Sequence, residues 1–235
     1  ITINNNLTST ASGADILFKS SGNIIQGSGK SITTAGGDVT FWADSDGDGA
    51  GYIKMSGSSS ISSVGGNVFL GGGSDLQTGY ARGAATTDNE SGSYISGVHL
   101  LTNTTINSGG GTITLRGRNV GNADNKVQAG IMGVGTNLNA GSGKVKLFGL
   151  AGGSGSANAQ GISIKDFNTA WTIQSSNPDA DAIVLLGDAS STSNSYTSLG
   201  INFAGSIINT GGGGITLEGK AGPASAYDHG LDIRG

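Results

Sequence analysis

Three aspartates that alternate with serine and glycine form the segment best suited to metal chemistry. The segment consists of Asp44-Ser45-Asp46-Gly47-Asp48-Gly49. Carboxylates at every second position are the pattern with which calcium loops begin, because Ca²⁺ prefers hard oxygen ligands. A complete calcium loop also requires a later bidentate glutamate, which the sequence does not supply within reach. Two interpretations of Asp44, Asp46 and Asp48 stay open: a calcium site, with calcium as the one suggested cofactor, and a solvated turn.

The stretch between positions 71 and 97 contains the densest mixture of aromatic and charged residues in the chain. Its candidate contact residues are Tyr80, Arg82, Asp88, Glu90 and Tyr94. Aromatic residues and arginine dominate the energetics of protein interfaces. We predict a lateral contact or ligand surface here, and the competing interpretation is a disordered surface loop.

Catalytic groups are not concentrated anywhere in the sequence. The two histidines, His99 and His229, are far apart, and neither has a neighbouring cysteine or histidine with which to bind a metal. Polysaccharide-degrading enzymes need several carboxylates, or a basic residue, along one groove. The residues expected to point outward on successive strands are instead mixed: Thr40, Phe69, Thr114, Lys146, Val184 and Thr216. We therefore expect a protein that is not an enzyme.

The composition indicates many short strands joined by tight turns. Glycine accounts for 45 of 235 residues but proline for only 2, which excludes collagen. Charged residues make up 12% of the chain, and the net charge of −4 disfavours nucleic acid as a partner. The chain has no cysteine and no apolar run long enough to span a membrane. Because β-branched residues recur throughout, we predict an all-β protein.

Three short strand patterns repeat along the chain. The first is an apolar-variable-apolar triplet with seven copies: Ile16–Phe18, Val39–Phe41, Val68–Leu70, Ile113–Leu115, Val145–Leu147, Ile183–Leu185 and Ile215–Leu217. The second is usually opened by a glycine, at positions 97, 130, 161, 200 and 230. The third places one apolar residue before a small polar one, at Ile32, Ile61, Ile106, Leu138 and Ile208. The outer residues of each triplet should face a core, because side chains alternate along a strand.

The spacing of these patterns predicts a right-handed parallel β-helix of about seven rungs, each with three short strands. Each of the five third-pattern residues is followed by a triplet after the same interval, whereas the connection between the first and second patterns varies widely. Constant corners with one variable corner are typical of stacked repeats. We expect Trp171 to cap an irregular core layer and Pro178 to lie at a bulge or corner. Two roles stay open for Asn107, Asn139, Gln174 and Asn209: a hydrogen-bonded ladder and exposed turns.

The repeat style resembles that of filamentous haemagglutinin-type adhesins and other large bacterial β-helix surface proteins. The segments most similar to these proteins are 109–117 (GGGTITLRG), 211–219 (GGGGITLEG) and 36–51 (GGDVTFWADSDGDGAG). The resemblance covers nearly the whole chain. It implies a secreted or cell-surface bacterial rod that takes part in adhesion, biofilm or filament formation, with host or matrix glycans as candidate partners. The alternative is a β-helix protein that binds or degrades polysaccharides.

Residues 1–235 are expected to form one β-helix segment without polar capping repeats. Joined end to start, the sequence around Gly230–Ile233 and Ile1–Ile3 is similar to the stretch at 200–217. Solenoid ends expose unpaired strands, which favour further stacking. We therefore expect the chain to contact flanking rungs of a longer protein, or other copies of itself, head to tail or laterally.

Overall fold

The structure of the chain, a computed structural model, describes residues 1–83, 94–119, 127–154, 158–165, 171–193 and 195–234. All regular secondary structure in these ranges is β-strand, as the composition predicts. The strands are β1 (Thr2–Ile3), β2 (Leu7–Ser12), β3 (Ile16–Lys19), β4 (Ile24–Gln26), β5 (Ser31–Ala35), β6 (Val39–Ala43), β7 (Ile53–Met55), β8 (Ser60–Ser62), β9 (Val68–Gly72), β10 (Ala81–Gly83), β11 (Tyr94–Leu100), β12 (Thr105–Asn107), β13 (Ile113–Asn119), β14 (Val127–Val134), β15 (Asn137–Asn139), β16 (Val145–Ser154), β17 (Asn158–Lys165), β18 (Trp171–Ser175), β19 (Ile183–Ser193), β20 (Ser195–Asn209), β21 (Ile215–Lys220) and β22 (Ala224–Arg234).

Equivalent strands pair in parallel and form three ladders. The first ladder contains β3, β6, β9, β13, β16, β19 and β21, and β10 also pairs with β13. The second contains β1, β4, β7, β11, β14, β17, the N-terminal part of β20, and β22. The third contains β2, β5, β8, β12, β15, β18 and the C-terminal part of β20, which joins it to the second ladder. One strand from each ladder forms what we call a layer.

The first ladder aligns all seven predicted triplets. Their first residues lie side by side in the order Ile16, Val39, Val68, Ile113, Val145, Ile183 and Ile215. The outer triplet residues from Val39 to Leu185 are fully buried, and they join buried residues of the other two ladders in one hydrophobic core. The predicted alternation is therefore confirmed for these layers, with the outer triplet residues facing inward.

The predicted inward residues of the first and last triplets are less enclosed. Ile16 and Phe18 are half-buried, and both pack against the core. Ile215 is 45% exposed although its backbone is in register with Ile183, and Leu217 is half-buried. Ile215 therefore occupies the predicted inward register, but the core does not enclose it. A core side chain needs neighbouring layers on both sides, and β21 has a paired first-ladder strand on only one side in the described chain.

The third ladder confirms four of the five predicted apolar residues and corrects the fifth. Ile32, Ile61, Ile106 and Leu138 are aligned and fully buried. In the last layer Ile207, rather than Ile208, is paired with Ile173, and Ile208 is 38% exposed. The constant interval to the next triplet selected Ile208 incorrectly. Adjacent residues of a strand point to opposite faces, so a one-residue change of register exchanges their environments.

A buried hydroxyl group stabilises the corner between the third and first ladders in four layers. Each hydroxyl donates a hydrogen bond to a glycine carbonyl three residues further on, or, from Ser175, to the equivalent carbonyl of the preceding layer; the pairs are Thr34–Gly37, Ser63–Gly66, Ser108–Gly111 and Ser175–Gly143. All four hydroxyl residues are buried. This feature was not predicted, and its signal in the sequence is a serine or threonine two positions after the inward apolar residue.

The asparagines beside this corner cap turns. The side-chain oxygens of Asn107, Asn139 and Asn209 accept hydrogen bonds from backbone N–H groups two residues further on. Asn209 is also paired with Ser175, so it does not continue the row that contains Gln174. The turn interpretation therefore describes these residues better than the ladder, since asparagine commonly bonds to its own backbone in this way.

Trp171 fills a gap in the core instead of capping it. The inward row of the second ladder contains Leu100, Gly133 and Ile164, and a side chain on Gly133 would overlap the indole ring of Trp171. Trp171 is fully buried. The large residue of one ladder thus occupies the volume that glycine leaves in another. Pro178 lies outside the strands, between β18 and β19, as predicted.

The variable connection between the first and second ladders consists partly of extended strands. The glycines expected to open the second strands lie within β11, β14, β17, β20 and β22, which begin before them. First-ladder strands likewise continue past their triplets to glycines at 117, 149, 187 and 219. At each crossing a glycine of one ladder lies against the backbone of the other, as for Gly149 on Gly161. The prediction of glycine-opened strands is therefore wrong, because these glycines permit close backbone crossing in mid-strand.

Candidate functional site

The aspartate-rich loop follows β6, which lies between β3 and β9 in the first ladder. The indole N–H of Trp42, the penultimate residue of β6, donates a 2.7 Å hydrogen bond to the carbonyl of Gly73. Asp44 then adopts a left-handed conformation with φ of 50°, which turns the chain out of the ladder. The next layer and the end of β6 therefore hold the start of the loop in place.

Asp44 is the only one of the three aspartates that is buried. Its Oδ1 atom accepts hydrogen bonds from the backbone N–H groups of Gly49, at 2.9 Å, and Ala50, at 3.3 Å. Within the described part of the chain, the buried Oδ2 atom has no hydrogen-bond partner. Burial raises the pKa of the Asp44 carboxyl group above its usual value, although the two backbone hydrogen bonds oppose that shift.

The structure brings the three predicted metal ligands together. Asp44, Asp46 and Asp48 each offer a carboxylate oxygen, and these oxygens all lie within 4.8 Å of one another. Asp46 and Asp48 are exposed, and Asp48 Oδ1 accepts a hydrogen bond from the Ala50 N–H group. Three like charges at this separation repel one another unless a cation or a proton intervenes.

Part of the predicted contact segment lies against the same loop. Residue Arg82 lies in β10 and forms a reciprocal backbone bridge with Gly51, at 2.8 and 3.2 Å. Its guanidinium group packs over Gly49, and its positive charge lowers the pKa of Asp44, against the larger effect of burial. Asp44, Asp75, Tyr80 and Arg82 line one cavity of about 230 Å³.

The remaining contact residues have different outcomes. Asp88 and Glu90 lie outside the described residues. Tyr94 begins β11, where its backbone pairs with Val127. Because β10 is paired with β13 and Ala81 belongs to the buried core, the alternative of a disordered loop is wrong for residues 81–83.

Tyr80 also begins a stacked row along the outer face of the first ladder. The Arg116 guanidinium carbon lies 4.6 Å from the ring centres of both Tyr80 and Phe148. Arg116 is fixed there by hydrogen bonds from Nε to the carbonyl of Gly79 and from Nη2 to that of Thr78. Beyond this row, Phe148, Leu186 and Glu218 line a cavity of about 170 Å³ that Tyr80 also borders. Arg116 and Phe148 were not predicted as site residues, and their signal in the sequence is the outward position that follows each triplet.

His99 is buried, although side-chain alternation places it on the opposite face of its strand from the core residues Val98 and Leu100. His99 is paired with Lys54 and Met132 in the second ladder, and all three side chains are buried. Burial, with a smaller contribution from the charge of Lys54, lowers the pKa of His99 to about 4. His99 is therefore neutral at physiological pH. His229, by contrast, is exposed.

Comparison with known proteins finds no matching family model, no matching curated protein and no matching solved structure. Within the described ranges there is no helix with the length and apolar character needed to cross a membrane.

Proposed function

We propose that the chain is a stretch of right-handed parallel β-helix that serves as the structural or adhesive rod of an extracellular bacterial surface protein. The principal support is the first ladder, in which seven triplets lie in one continuous register. A core that repeats from layer to layer gives a stiff scaffold whose length grows with the number of layers. At the usual strand spacing, seven layers extend over roughly 34 Å.

The resemblance to filamentous haemagglutinin-type repeats supports the adhesive role and the bacterial surface location. In this proposal the partners are neighbouring rungs, other copies of the chain and host or matrix glycans. The glycine crossings fit the same proposal, because they let strands of the variable corner extend outward without disturbing the core. Contact residues can then vary while the scaffold stays constant.

Surface display on a non-adherent bacterial strain tests the adhesive role. We expect cells that display the chain to attach to plastic and to cultured epithelial cells more than cells that display Ile113→Asp, at equal surface levels. The substitution places a charge in the fully buried core. Equal attachment by the two strains would contradict the proposed adhesion.

Glycan binding is a second candidate function, favoured by the cavity beside Phe148. The cavity combines the aromatic rings of Tyr80 and Phe148 with the charged residues Asp188, Glu218 and Lys220. Aromatic surfaces flanked by hydrogen-bonding groups are suited to ligands with both apolar faces and hydroxyl groups. Calorimetric titration with cello-, xylo- and chito-oligosaccharides would test it. We expect Phe148→Ala to weaken the binding of any oligosaccharide held there, while binding that is insensitive to this change would exclude the cavity.

A further inference from the structure

We infer that the loop from Asp44 to Gly49 binds a divalent cation of the calcium class, with Asp44, Asp46 and Asp48 as its carboxylate ligands. The three side chains are already gathered within 4.8 Å, so binding requires little rearrangement of the ligands. Preorganised oxygen ligands of this kind are the preferred environment of Ca²⁺. The site is independent of the proposed adhesive role.

The buried side chain of Asp44 is the observation that separates this loop from an ordinary acidic turn. Asp44 has 0% exposure, and no donor in the described ranges reaches its Oδ2 atom. A carboxylate oxygen without a hydrogen bond is costly to bury. A cation at the loop would supply the missing partner, because a bound metal ion is the largest local charge in such a site.

The charge of the site matches a divalent ion. The three carboxylate side chains carry three formal negative charges, and the neighbouring Arg82 carries one formal positive charge. The balance of two negative charges is neutralised by one Ca²⁺ ion. Arg82 alone cannot achieve this, since a single guanidinium leaves two charges uncompensated.

The geometry favours calcium over magnesium. The loop offers three carboxylates on a glycine-containing turn, and Asp46 and Asp48 are open to water. Ca²⁺ accepts irregular shells of carboxylates and waters, whereas Mg²⁺ requires near-ideal octahedral geometry. With three protein carboxylates we expect a dissociation constant of about 10⁻⁴ to 10⁻³ M, as in extracellular calcium modules.

Terbium luminescence provides a direct test, because Tb³⁺ replaces Ca²⁺ and is excited by nearby indole rings. Trp42 lies two residues before Asp44 and is one of two tryptophans in the chain. We expect saturable, tryptophan-excited Tb³⁺ emission that excess Ca²⁺ abolishes. Trp42→Phe should remove most of the emission, while calorimetry still detects Ca²⁺ binding.

Single-charge variants distinguish a cation site from a turn. Asp46→Asn and Asp48→Asn change exposed side chains, so the fold should persist while Ca²⁺ affinity falls by about tenfold or more. Asp44→Asn should abolish binding. Asp228→Asn, which changes an exposed aspartate of β22, is the matched control and should bind Ca²⁺ like the unaltered chain. Absence of saturable Ca²⁺ binding, or equal affinities in the Asp46 and Asp228 variants, would overturn the inference.

Discussion

Individual side chains in this protein have sharply different importance even when they are adjacent in sequence. Ile113 is fully buried and lies in the core, whereas the next residue, Thr114, occupies the outward position between Phe69 and Lys146. Whether a residue faces the core or the outside thus depends on whether it occupies an outer or the middle position of the triplet. This contrast offers a matched pair of substitutions in one strand.

Ile113→Asp should destabilise the protein by at least about 4 kcal/mol, since it buries an unpaired charge. Thr114→Asp introduces the same charge on the outward side, beside Lys146, and should change the free energy of unfolding by less than about 1 kcal/mol. Chemical denaturation of both variants, followed by circular dichroism, measures the difference. Similar losses in the two variants would contradict the inward orientation of the triplet.

The pairing of Gly133 with Trp171 predicts a non-additive pair of mutations. Gly133→Leu alone should clash with the indole ring, and Trp171→Ala alone should leave a cavity that costs about 3–5 kcal/mol. The double variant places the leucine in the vacated volume. We expect it to lose less stability than the sum of the single changes, by more than about 0.5 kcal/mol. Strict additivity in denaturant titrations would show that the two residues do not share this space.

His99 predicts acid sensitivity in a defined pH range. Its pKa falls from 6.5 to about 4 in the folded chain, so the unfolded state binds more protons between these values. The contribution of neutral His99 to the free energy of unfolding is therefore fully present above pH 6.5. It decreases as the pH falls towards 4, by about 3 kcal/mol in total. His99→Gln should reduce this dependence. An identical pH profile for His99→Gln would show that other groups cause the acid sensitivity.

At the scale of elements, the crossings between the first and second ladders depend on glycine. In β16 a side chain on Gly149 would overlap the carbonyl group of Gly161 and the side chain of Ile162. The Gly161 carbonyl is backbone, which cannot move aside without disturbing the ladders. Each such crossing therefore depends on a glycine that lets the two backbones approach closely.

Gly149→Ala should destabilise the protein by at least about 2 kcal/mol for this reason. Gly22→Ala is a suitable control, because a side chain there meets no atom within 4 Å and the backbone does not have a positive φ. We expect the control to change stability by less than about 0.5 kcal/mol. Thermal unfolding of the two variants tests this, and equal melting temperatures would contradict the close crossing.

At the scale of the whole molecule, the layers should differ in stability according to their neighbours. Residues of the central layers, such as Val68 and Val145, are fully buried, while Ile215, Leu231 and Ile233 are 45%, 43% and 58% exposed. Repeat proteins obtain much of their stability from contacts between neighbouring repeats.

Hydrogen exchange should therefore be slowest in the backbone amides of β9, β13 and β16 and fastest in β21 and β22 of the 235-residue chain. Mass spectrometry of peptides from these strands measures the gradient. Uniform protection across all layers would indicate a single cooperative unit without fraying. Loss of the gradient at high protein concentration would instead support the proposed head-to-tail stacking.

The sequence by itself determined the all-β class, the parallel repeat and the inward rows from Val39 to Leu185. These follow from local rules, since alternation along a strand and glycine turns leave clear periodic signals. It also indicated the aspartate loop as a cluster of oxygen ligands. Asp44, Asp46 and Asp48 are close in sequence and therefore close in space.

Where the local sequence pattern gives no clear signal, only the tertiary structure decided the environment of a residue. The inward position of Ile207, rather than Ile208, depends on its pairing with β18. The burial of Trp171 depends on a glycine in another ladder. Likewise, the burial of Asp44 and His99 and the approach of Arg82 to the aspartate loop arise from contacts between separate strands. Such features depend on which residues stacking brings together, and a repeat pattern specifies the rows but not the exceptions within them.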